Sequence, residues 1–139
     1  MDFSSLDPLG IGVAVVAGFT IGAFWLSPKT FFPLWWKALD KGDSVPGEGQ
    51  NMGVVFGSLV FTLCVQAIVL AGIINGLYGQ DASLLNGVVI GAVLGLGISG
   101  MHSLGHRLFA SQGWLVWAIE MGNDVVVTTA MAAVITLIN

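Results

Sequence analysis

The chain has 139 residues, of which 55% are hydrophobic and 9% charged, and four Lys/Arg against eight Asp/Glu give a formal net charge of −4. Soluble domains carry about 25% charged residues. This composition, with a mean hydropathy of +0.90, therefore excludes a soluble globular domain, a disordered chain and a basic stripe for nucleic acid.

An all-α polytopic membrane protein remains: a bundle of four transmembrane helices forming one membrane domain over 1–139. A bilayer-crossing helix needs about 20 mostly apolar residues. Leu9–Leu26 is uncharged and stops at Ser27-Pro28. Asp2 and Asp7 precede it instead of a basic n-region, so it reads as a permanent span and not a cleavable signal. Phe31–Asp40, FFPLWWKALD, mixes aromatic and basic residues and predicts a short helix lying in the membrane interface. Gly42–Gly49 follows as a flexible connection. The second span is Met52–Ile74, ended by Asn75-Gly76. The third is Leu84–Phe109, apolar until His102, His106 and Arg107. After a turn at Ser111-Gln112 the fourth, Trp114–Ile138, is apolar except for Glu120 and Asp124.

Four spans put both termini on one side. Lys29, Lys37, Lys41 and Arg107 all fall on the other, whereas the terminal side carries Asp2, Asp7 and Asp81. Cytoplasmic loops carry the Lys/Arg excess, so both termini are predicted to be non-cytoplasmic in a multi-pass cell-membrane protein. Trp25, Trp35, Trp36, Trp114 and Trp117 also lie towards the basic side, where indoles anchor at headgroup level.

Small residues spaced by four let membrane helices approach closely. Span one offers Ala14, Gly18 and Gly22, and span two Gly53/Gly57 and Gly72/Gly76. Span three has the longest ridge, Gly87, Gly91, Gly95, Ser99 and Ser103. Such ridges pack the bundle, or one of them, Gly87–Ser103 first, faces an identical subunit in a homo-oligomer.

His102 and His106 share one face of span three; Glu120 and Asp124 share one face of span four. Folding the hairpin at its turn sets His102 level with Glu120, and Asp124 level with Ser99. Arg107 and Asn123 complete a polar cluster. Three readings stay open. The cluster sits in hydrated headgroups with Arg107 paired to Glu120, or it lines a cavity for a proton, cation or small polar solute. Alternatively, its imidazoles and carboxylates bind a divalent metal at His102 and Glu120; no other cofactor is predicted. Gln66, near the centre of span two, is expected to hydrogen-bond a neighbouring helix. Cys64, the single cysteine, excludes an intrachain disulfide framework and a cysteine-based zinc site. No phosphate loop, HExxH or GxSxG motif occurs, so nothing supports an enzyme. The function classes left are a transporter or channel-like protein using the His/Glu/Asp cluster, and a structural or accessory subunit of a larger membrane complex.

GAFWLSPKTFFPLWWK (Gly22–Lys37) resembles the signature of the bacterial and fungal membrane proteins grouped as domain of unknown function 1761. Gly22, Ala23, Trp25, Ser27 and Pro28 match its Gly-Ala-x-Trp-Tyr-Ser-Pro stretch, while Leu26 replaces the usual aromatic residue. AIEMGNDVVV (Ala118–Val127) resembles the family's acidic-x-Gly-x-x-Val segment through Glu120 and Gly122. The resemblance implies a four-helix membrane protein and supplies no activity.

Overall fold

The computed structural model describes residues 2, 3 and 6–138. Helix α1 (Pro8–Trp25) starts where the Asp7 carboxylate accepts from the Leu9 and Gly10 amides, at 3.1 and 2.8 Å. Pro8 fills the first position, where no amide is needed. At its far end Thr30 Oγ1 lies 2.6 Å from both the Phe24 and Trp25 carbonyl oxygens, covering acceptors the helix leaves open. Helix α2 (Phe32–Ala38) is shorter than the predicted 31–40, and Asp40 breaks the chain away at φ 55°. Helix α3 (Met52–Tyr78) is capped by Asn51 and runs past the predicted stop at Asn75-Gly76. Neither residue removes a backbone donor, and Asn75 is buried. The helix ends at Gly79, where φ 63° suits a residue without a Cβ.

A 3₁₀ turn (Gly79–Asp81) leads to α4 (Leu84–Leu94), opened by a reciprocal Ser83–Asn86 capping box. Gly95–Gly100 is π-helical and α5 (Met101–Phe109) continues the rod. Helix α6 (Gly113–Ile138) follows a turn with Ser111 at φ 57° and Gly113 at φ 81°. Four stretches, Pro8–Trp25, Met52–Asp81, Leu84–Phe109 and Gly113–Ile138, are long and apolar enough to cross a bilayer.

Helix α6 is the axis of the bundle. It packs against α1, α3 and the whole length of the α4–α5 rod, and it touches α2 as well. Leu70 and Ile74 of α3 join Met131 and Ile135 of α6 in the fully buried core. The outer face of α3 (Phe61, Val65, Ile68) is exposed, the surface a spanning helix turns to lipid.

The glycines explain the closeness of these contacts. A Cβ on Gly91 would lie 2.6 Å from Thr129 Cα and 2.8 Å from the Thr128 carbonyl oxygen. At Gly95 it would lie 2.9 Å from Val125 Cα, and at Gly87 it would lie 2.7 Å from the Ala132 carbonyl oxygen. Gly87, Gly91 and Gly95 of the span-three ridge therefore face α6 of their own chain, the bundle-packing alternative of the two. On α1, Gly18 packs on Met131 and Leu63, whereas Gly22 has only van der Waals neighbours at 3.8 Å and beyond.

The rod's contact face steps by four from Gly87 to Gly91 to Gly95, then by five to Gly100, whose Cβ would meet Met121. That longer step is the π turn. Beyond it Arg107 reaches Glu120 of α6, while His102 and His106 are exposed.

Candidate functional site

Two polar tiers lie along α6. The first is near the end of the bundle that carries α2 and the 110–112 turn. Trp35 Nε1 donates to Glu120 Oε1 at 3.0 Å. Arg107 Nε lies 2.5 Å from Glu120 Oε2, a charge contact off the hydrogen-bond axis, and Arg107 Nη1 donates to Gln112 at 2.8 Å. Glu120 therefore ties the interfacial helix α2, the rod and α6 together. His102 and His106 are exposed, with ring centroids 5.0 Å apart. Among the described residues His102 makes no direct contact with Glu120, whose partners are Trp35 and Arg107. Among the described residues no three His, Cys, Asp or Glu converge, so a metal at His102 and Glu120 has no ligand set.

The second tier is one helical turn deeper, about 6 Å along α6. Ser99 Oγ, inside the π turn, donates to Asp124 Oδ2 at 2.7 Å. Gln66 Nε2 donates to Thr128 Oγ1 at 2.7 Å, linking α3 to α6 as expected of a mid-span amide. Asn123 Oδ1 and Thr129 Oγ1 are buried without a hydrogen-bond partner among the described residues. A buried acceptor left unmade costs about 1–3 kcal/mol, so the Asn123 amide is a place where a donor would be gained.

The second tier borders hollow space. A partly open cavity of about 350 Å³ lies between α1, α3 and α6, with walls that include Phe19, Leu26, Phe56 and Leu59 and a polar edge of Gln66, Asn123 and Asp124. A second, more open groove of about 490 Å³ runs along α3 from Phe61 to Ile73 against Leu94, Ile98 and Ser99. The two share Thr62 and Gln66.

The tryptophans do more than the sequence indicates. Trp25 Nε1 donates to the Ile119 carbonyl at 3.0 Å and Trp117 Nε1 to the Gly100 carbonyl at 2.8 Å, at the edge of the π turn. With Trp35 on Glu120, three of the indoles spend their N–H inside the protein. Trp36 stacks on Phe32 at 5.4 Å and Trp114 stays exposed, the two positions that keep the form of lipid-facing anchors. The π turn and the Trp35–Glu120 bond were missed in the sequence. The only local signal for the former is the glycine density of GLGISG, which weakens the α-helical ladder.

A family model described as a protein of unknown function (DUF1761) matches residues 9–136. The chain belongs to that family. No curated protein and no solved structure matches it. In this DUF1761 chain the two segments that carry the resemblance pack on one another. A Cβ on Gly122 would lie 2.9 Å from the Trp25 ring, which covers Gly122 while its N–H reaches Ile119. These segments, Gly22–Pro28 and Glu120–Val127, contribute to the Asp124 cavity through Gly22, Leu26, Asn123 and Val127.

Proposed function

We propose that this chain is a small membrane transporter or channel-like protein that passes a proton, a cation or a small polar solute, with Asp124 at the point of passage. The observation that carries this reading is the cavity between α1, α3 and α6, because it reaches Asp124 and Asn123. Ionisable side chains at membrane depth are expensive and mark pathways or water-lined cavities. Two further features support it. Ser99, the partner of Asp124, sits in a π turn, an element concentrated at functional sites. The cavity and the second groove occupy successive stretches of α3 and meet at Gln66. The Ser99–Asp124 and Gln66–Thr128 bonds lie where they meet, in the position of a partition between two half-pathways. In this reading the basic end faces the cytoplasm, and any homo-oligomer uses the exposed face of α3.

Reconstitution into proteoliposomes tests it, with proton flux read by an internal pH dye and sodium and potassium flux by ion-selective dyes. Flux is expected in the wild type and is lost in Asp124→Asn, whose helical circular dichroism stays unchanged. Equal flux in the two proteins would return the chain to a packing or accessory role.

A further inference from the structure

Resting on that transport reading, we infer that the cavity beside Asp124 takes a small organic ammonium ion, an apolar body carrying at least one N–H. The polar edge carries one charged group, the Asp124 carboxylate. Ser99 occupies Asp124 Oδ2, and Oδ1 has no partner among the described residues. Asn123 Oδ1, buried beside it, is likewise without one. Gln66 has already committed its Nε2 to Thr128. A solute here meets one carboxylate with an open oxygen, which selects positive charge and N–H donors.

The walls decide between kinds of cation. An inorganic ion exchanges its water for oxygen ligands, about six for magnesium or calcium, and hydrocarbon walls such as Leu26 and Leu59 supply none. An organic cation loses nothing against those walls. Phe19 and Phe56 both line the cavity with ring centroids 6.4 Å apart and planes inclined at 54°, an aromatic pair available to a cation from two directions. About 350 Å³ is at the small end of ligand pockets, which run roughly 300–1,000 Å³. No Lys or Arg is among the described residues lining the cavity. A phosphate attached to the ammonium would go unpaired, which favours a free amine over the headgroup of phosphatidylethanolamine.

The test is calorimetric titration of the whole chain in phosphatidylcholine nanodiscs with 2-phenylethylammonium, beside its neutral analogue 2-phenylethanol. Saturable binding of the ammonium alone is expected. It weakens about tenfold or more in Asp124→Asn, survives in Asp124→Glu, and weakens about three- to tenfold in Phe56→Ala. Gly22→Leu, placed in the cavity wall where a Cβ makes only van der Waals contacts, blocks it while leaving the carboxylate in place. The inference falls if the wild type does not bind the amine, if Asp124→Asn binds it equally, or if 2-phenylethanol binds as well. Competition by added phosphatidylethanolamine would also overturn it, in favour of the lipid headgroup. Proteoliposome flux separates this inference from the reading beneath it. Asp124-dependent proton flux without amine binding removes the amine and keeps the transporter, whereas Asp124-dependent binding without any flux keeps the amine and removes the transporter.

Discussion

A methyl group added at Gly91 and one added at Gly22 would meet different fates, although both glycines sit on spanning helices that pack on α6. At Gly91 the new carbon would press on backbone, 2.6 Å from Thr129 Cα, and backbone cannot rotate away. Gly91→Ala is expected to lower stability, the overpacking cost of about 1–3 kcal/mol outweighing a helix-propensity gain of up to about 1 kcal/mol. Gly22→Ala has its nearest neighbour at 3.8 Å and is expected to be neutral or slightly stabilising. Thermal unfolding in detergent, followed by circular dichroism, separates the two. The carboxylates differ in the same way. Glu120 is enclosed by Trp35 and Arg107 and acts as a tie between elements, while Asp124 has one hydroxyl donor and a cavity beside it. Glu120→Gln is therefore expected to loosen α2, seen as faster proteolysis of the 39–51 loop, and to leave flux through Asp124 in place.

Among the elements, the rod from Leu84 to Phe109 carries most of the consequences. Its π turn holds one residue more than an α-helix needs, and Gly97 is the expendable one because nothing lies within 4 Å of its Cβ position. Deleting Gly97 is expected to close the turn into regular helix while the segments on either side keep their seats on α6. Ser99 would then leave Asp124 while Arg107 stays near Glu120. The measurement is flux in proteoliposomes together with cross-linking of cysteines placed at 99 and 124 and at 107 and 120: the first pair stops linking and the second does not. The same turn explains what the sequence could not show. Four spans, Ser99 level with Asp124, and the reach of Gln66 to another helix follow from length, hairpin register and the cost of a lone amide in lipid. Which side of the rod His102 faces depends on rotation, and one unannounced residue turns it by about 100°. The Trp35–Glu120 bond was hidden for another reason: it joins residues 85 positions apart across a loop with no periodicity.

For the whole molecule, the distribution of Lys29, Lys37, Lys41 and Arg107 at one end predicts how the bundle sits in a membrane. A reporter active only in the cytoplasm is expected to be silent when fused after Asn139 and active when inserted in the 42–49 loop; the reverse pattern would invert the orientation. One more consequence follows from the pairing of the first spanning helix with the last. Gly10 and Gly18 of α1 seat on Ile138 and Met131, and Trp25 bonds Ile119, 94 residues later. Ribosomes add about 5–20 residues per second, so α1 waits roughly five to twenty seconds for the strip that completes it. During synthesis its small-residue seam lies open to lipid and to other nascent helices. The bundle closes like a clasp whose two halves, α1 and α6, are made at different times, and a chain released before Met131 leaves an unlatched α1 in the membrane for quality-control proteases to find.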